Sequence, residues 1–187
     1  IHLELLPEPF LGAPTAPVVL LSLNPGYSPD DQQPHQDPTF QALSRASLVY
    51  APGQYPFVLL NPEVQAPGRR WWESKLARLI EARGREAVAR NVLCVEYFFI
   101  TRIVSRTGGF SLVIVYSTHL VRAALQRRAL IVVMRAERFW REAVSELSGY
   151  PQLFRKNNPQ NVIISERNCA AGYRRIVSAL TSASSST

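Results

Sequence analysis

The sequence predicts an α/β fold: a three-layer α/β/α sandwich built on a central, mainly parallel sheet of four strands. Four short apolar runs rich in branched residues recur along the chain, each with the pattern of a strand covered on both faces. Stretches of helical periodicity alternate with them, and that alternation implies parallel strands joined by helical crossovers. With 187 residues, 47% apolar and 19% charged, the chain suits one domain, 1–187, with a substantial core.

The elements follow in order. Residues 1–16, which include Pro7, Pro9 and Pro14, read as an extended lead-in because proline removes helical donors. Val18 to Leu23 is the first strand, bounded by Pro17 and by Asn24-Pro25-Gly26. A short helix covers 39–49. Tyr55 to Leu60 reads as an edge strand or a hairpin arm, with Pro56 keeping it from the centre of the sheet. The helix over 71–83 puts Trp72, Leu76, Leu79 and Ile80 on one stripe, and Gly84 stops it. Asn91 to Phe98 is the second strand. A helix over 117–128 buries Leu120, Val121, Ala124 and Leu125, and Ala129 to Met134 is the third strand. The helix over 136–148 turns Phe139, Trp140, Ala143, Val144 and Leu147 inward, ending at Gly149-Tyr150-Pro151. Asn161 to Ser165 is the fourth strand, 170–180 the last helix, and 182–187 a flexible tail.

Lys and Arg number 21 against 14 Asp and Glu, a net charge of +7. Only Lys75 and Lys156 are lysines, so the charge is nearly all arginine, whose planar fork suits phosphate and carboxylate. This permits a polyanionic partner, and a solvated basic surface accounts for it equally well. Cys94 and Cys169 are too few for an iron–sulfur cluster or an all-cysteine zinc site. Their lack of CxxC spacing predicts a reduced, cytoplasmic protein. No apolar run approaches the roughly 20 residues of a membrane-spanning helix, so no membrane partner is expected. The loop 28–38 carries Asp30, Asp31, His35 and Asp37 but matches no ligand frame, and neither metal nor cofactor is expected. The segment 105–111 reads as a flexible lid or a DNA-facing loop. With no GxxxxGK or GxGxxG in the chain, phosphate-loop and dinucleotide chemistries are disfavoured.

In an open parallel sheet, ligands bind at the carboxyl ends of the strands. Those ends supply Asn24-Pro25-Gly26-Tyr27, Glu96-Tyr97-Phe98, Arg135, and Ser165-Glu166-Arg167-Asn168. Carboxamides, aromatic faces and guanidiniums together suit a flat polar ring held by stacking and edge hydrogen bonds, with phosphate nearby.

The turn after the first strand also carries a resemblance. VVLLSLNPGYSPDD, Val18 to Asp31, resembles the first motif of the uracil-DNA glycosylase superfamily, in the form found in its single-strand-selective and mismatch-specific branches. NVIISERN, Asn161 to Asn168, is similar to the second motif, with Ser165, Arg167 and Asn168 in matching places. The resemblance implies hydrolysis of the N-glycosidic bond of a base flipped out of DNA, with DNA, single-stranded DNA included, as the partner. It implies that Asn24 positions the water, while Leu23, Pro25, Gly26 and Tyr27 wrap the base and Phe57 or Phe98 stacks on it. Glu96, Tyr97 and Ser165 would complete the pocket. Arg102, Arg106, Arg135, Arg167 and Asn168 would meet the DNA, the arginines at its phosphates.

Three positions depart from the motifs. The histidine of the second motif falls at Ile163, Ser22 replaces a glycine, and Glu96-Tyr97 stands where relatives carry a base-reading asparagine. An ionised carboxylate accepts hydrogen bonds but donates none, so an ionised Glu96 does not mimic that amide. Hydrolysis of a base other than uracil remains open, as does a non-catalytic pocket for a nucleobase, nucleotide or nucleic acid. A small-molecule hydrolase on the same scaffold is a third reading.

Overall fold

The structure, a computed structural model, describes residues 6–26, 29–51, 53–98 and 110–182. Tyr27, Arg102, Arg106, most of the 105–111 loop and the end of the tail lie outside the described residues.

Five strands form one sheet among the described residues: β1 (Phe10–Leu11), β2 (Val18–Ser22), β3 (Val92–Glu96), β4 (Leu130–Val133) and β5 (Leu153–Arg155), in spatial order β1-β3-β2-β4-β5. β2, β3, β4 and β5 are parallel, and β1 adds an antiparallel edge to β3. The sandwich is therefore the predicted one, with five strands in place of four. The additional strand comes from the lead-in. Just after it, Gly12 has φ 105°, and a Cβ there would lie 2.1 Å from the Val92 carbonyl oxygen. Only glycine lets the lead-in pass this close to β3.

The fourth parallel strand is β5, not Asn161 to Ser165. The latter segment has no regular structure and is unpaired with the sheet, because its backbone groups find other partners. The Ile163 amide donates to Asn161 Oδ1 at 3.0 Å, and the Ile164 amide donates to the Lys75 carbonyl at 2.9 Å. Tyr55 to Leu60 is neither an edge strand nor a hairpin arm. It ends in a 3-10 turn at Val58–Leu60, with all three residues buried.

The helices are α1 (Gln32–Gln36), α2 (Pro38–Leu48), α3 (Pro67–Arg83), α4 (Arg85–Asn91), α5 (Phe110–Gln126), α6 (Glu137–Ala143) and α7 (Tyr173–Ser182). α1 falls within the segment read as a loop, and α4 joins α3 to β3 where no helix is expected from the sequence. α3 begins at Pro67, four residues before the periodicity suggests. Among the described residues, no helix is long and apolar enough to cross a membrane.

Side chains alternate across a strand, and this divides the core in two. Val18 and Leu20 of β2, Val92 and Cys94 of β3, and Leu130 and Val132 of β4 pack with residues of α2, α3, α4 and α7. Val19, Leu21, Leu93, Val95, Ile131 and Val133 pack with α5 and α6 on the other face. Continuing that alternation puts Ser22 and Glu96 on the α3 side and Tyr97 on the α5–α6 side. From β2 the chain crosses to β3 on one side and later to β4 on the other. The carboxyl ends of β2 and β4 thus flank a topological switch point, where α/β sheets bind ligands.

Candidate functional site

A cavity of about 350 Å³ opens at this switch point, within the size range of small-molecule sites. Asn24, Pro25 and Gly26 line it after β2, Arg135 after β4, and Glu96 at the end of β3. The opposite wall is the start of α3, with Pro67, Gly68, Trp71 and Trp72, and Phe40 and His35 extend it. A larger, more polar depression adjoins it between α1, α2 and 63–70. None of the described strand ends lines that depression, so the cavity is the candidate site.

Asn24 is half-buried, and its Nδ2 donates to the Pro25 carbonyl at 2.8 Å. This self-closed turn leaves Oδ1 as the acceptor that the amide presents. On the α3 wall, Pro67 at the first helical position fixes the backbone entry. Gly68 lies against Leu59, whose Cδ1 would be 3.1 Å from an added Cβ. Trp72 is buried and meets Phe57 edge-on at 5.0 Å. Trp71 is 38% exposed, lies edge-on to Trp72 at 4.7 Å, and carries the Lys75 ammonium 5.3 Å from its ring. One indole is therefore anchored in the core and the next keeps exposed ring surface at the cavity.

Glu96 is the unusual group. It is only 3% exposed, and its Oε2 has no hydrogen-bond partner among the described residues. The parallel register pairs Ser22 with Glu96, and the Cys94 thiol donates to Oε1 at 3.7 Å. Burial raises the carboxyl pKa to about 8, and the negative charge of Glu8 adds to this. The Ser22 hydroxyl, the Cys94 thiol and the Arg135 guanidinium offset part of the rise. The Cys94 thiol is itself pushed well above its ordinary value, by burial first and by Glu96 second, so it stays a donor. At neutral pH Glu96 is mostly a neutral acid, with a proton to donate.

The other sequence candidates separate. Leu23 gives its carbonyl to the Phe98 amide at 2.8 Å and is not among the cavity-lining residues. Phe57 is fully buried beneath Trp72 and offers no face for stacking. Tyr97 packs into the opposite core, edge-on to Trp140 at 5.0 Å and stacked on Phe139 at 5.6 Å, and Phe98 meets it edge-on. Ser165 is not at the cavity; its Oγ accepts from the Asn168 amide at 3.3 Å. Arg167 is exposed away from the cavity lining, and only Arg135 of the described arginine candidates reaches the rim.

Asn168 is not a surface contact for a ligand. It is 4% exposed; Nδ2 donates to the carbonyls of Asn161 and Ile163, both at 2.8 Å, and Oδ1 accepts from the Asn158 amide at 3.0 Å. It clamps the 158–168 loop. Asn168→Ala is expected to lower stability by about 2–3 kcal/mol, because truncation removes three part-buried hydrogen bonds to the loop backbone. Urea unfolding reads that loss, and the salt dependence of any DNA binding should stay as in the wild type.

Much of the arginine charge is paired along helices, as in Arg69–Glu73, Arg90–Glu86, Arg138–Glu142 and Arg141–Glu137. Those pairs read as solvated helix faces. Among the described residues, no group of three or more His, Cys, Asp or Glu side chains is arranged to hold a metal ion. The wall residues Trp71 and Gly68 and the 35–40 segment were not predicted at the site; Pro67, at the N1 position after Ala66, is the sequence signal that would have started α3 early enough to find them. No family model, curated protein or solved structure matches the chain.

Proposed function

We propose that the chain takes a planar nucleobase of DNA into the cavity and hydrolyses its N-glycosidic bond. The observation that carries this reading is the meeting of the Asn24-Pro25-Gly26 turn with Glu96 in one aromatic-walled cavity. The exposed ring of Trp71 offers a stacking face, and Gly26 allows close backbone approach to the ligand.

In the step itself, a water oxygen bonds to C1′ while the C1′–N bond breaks. The bonding pair leaves with the base, and the proton released by the water neutralises the departing anion. Asn24 is a weak base, so Oδ1 orients the water, a contribution of geometry. Donors at the base oxygens stabilise the charge growing there. Arg135 at the rim meets a phosphate, giving an affinity that falls as salt rises.

A binding-only reading has an observation in its favour: Ser165 and Asn168, the second-motif residues, serve the loop and not the cavity. Oligonucleotides carrying uracil, hypoxanthine, xanthine or alkylated bases, scored for abasic sites, separate the two. Cleavage of at least one is expected, with Asn24→Ala slowing it roughly 100-fold while DNA affinity stays within about threefold. Binding without abasic sites on any of them would leave the binder.

A further inference from the structure

We infer that Glu96 is a hydrogen-bond donor in the cavity, its neutral carboxyl giving Oε2–H to a ring carbonyl oxygen of the bound base. This rests on the reading of the cavity as a nucleobase site and specifies its ligand: a keto base, with a carbonyl on the edge that enters first.

Geometry makes the assignment. Glu96 lines the cavity yet is 97% buried, as its 3% exposure implies, and Oε2 has no hydrogen-bond partner among the described residues. A buried polar atom without a partner is costly. The deficit disappears when a ligand atom reaches it. The two oxygens are not equivalent. Oε1 already accepts from the Cys94 thiol, which favours the carbonyl role for Oε1 and leaves the proton on Oε2. An acceptor is then what the cavity lacks, and a ring carbonyl supplies one.

The surroundings keep the acid neutral. Burial and Glu8, before β1, oppose its ionisation. Ser22 on β2, Cys94 on β3 and Arg135 after β4 favour it more weakly, and the group titrates at about 8. His35 faces the same cavity from α1, with Nδ1 accepting from the Leu6 amide at 3.1 Å. Glu96, at the end of β3, is the side chain that brings this donor to the departing base. The donor keeps its proton and holds the growing charge by hydrogen bonding.

Calorimetric titration of the full chain with free uracil, and with pyrimidine as the carbonyl-free control, tests this between pH 6 and 9. Uracil is expected to bind at least tenfold tighter than pyrimidine at pH 6. Its affinity should weaken above pH 8, approaching tenfold per unit. Glu96→Gln, which keeps an N–H donor, should retain binding without that pH dependence, and Glu96→Ala should lose it. Uracil binding by Glu96→Ala at wild-type strength would overturn the assignment, as would no uracil binding at all. If either variant fails to fold, the carboxyl ¹³C signal of Glu96 in the wild type remains a readout. Titration near 8 supports the donor, and titration in the ordinary glutamate range overturns it. Uracil binding with the expected pattern but no abasic sites would remove hydrolysis and keep the donor. Cleavage that is indifferent to Glu96→Ala would do the reverse.

Discussion

Replacing Trp140 with alanine is expected to cost about 3–5 kcal/mol, the range for deleting a fully buried large aromatic side chain. Trp140 is completely buried on α6, edge-on to Tyr97, and its Nε1 donates to the Ser22 carbonyl at 2.8 Å. Truncation leaves a void between α6 and the sheet and strips that carbonyl of its donor, about 1 kcal/mol of the total. Ser22 ends β2 two residues before Asn24, so the same change loosens the turn at the cavity. Trp140→Phe keeps most of the filling and loses the donor, and should cost about half as much. Urea unfolding of the three proteins measures both differences, and a loss below about 1 kcal/mol for the alanine variant would show that α6 does not seal this face.

The indole bond ties a residue read from helical periodicity to a strand read from its branched apolar run. Those two patterns carried most of the fold. β2, β3 and β4 are buried on both faces, so their sequences are continuous apolar runs with no competing interpretation. β5 is harder. Leu-Phe-Arg is three residues long, with Arg155 exposed on the sheet edge, and so short a run lacks the period that marks a strand. Asn161 to Ser165 has the branched residues that β5 lacks, yet Asn168 and the Lys75 carbonyl of α3 take its backbone groups, through bonds with residues up to 89 positions away. Side-chain clamps of that kind leave no periodic trace.

The site divides along the same physical line. Asn24, Pro25, Gly26, Glu96 and Arg135 follow strands, and the ends of parallel strands announce themselves once the strands are found. Glu96 stands out as a carboxylate in an apolar run, which requires either a partner or a proton. Phe57, Tyr97 and Phe98 stand out for the same reason as stacking candidates, but aromatic rings near a strand end fill core more readily than they line cavities. The wall from α3 depends on how a helix packs over the sheet, and a helical stripe predicts the buried Trp72 without showing that Trp71 turns to the cavity.

Glu96 also makes a prediction about the whole molecule. Its folded pKa, about 8, lies above the roughly 4.3 of an unfolded glutamate, so the folded state holds the proton more tightly. The resulting stability is fully present below pH 4, falls as pH rises through the window between the two values, and is gone above about 8. Within the window the slope approaches about 1.4 kcal/mol per pH unit, roughly 5 kcal/mol in all. Other groups titrate across the same range, and the difference between wild type and Glu96→Gln isolates this one. The variant carries no ionisable group at the position, so it should gain on the wild type steadily from pH 5 to pH 8 and stay ahead at pH 9. Urea unfolding at each pH gives that difference directly. A constant difference over pH 5–8 would mean that Glu96 is already ionised in the folded protein, and an ionised carboxylate has no proton to offer a base.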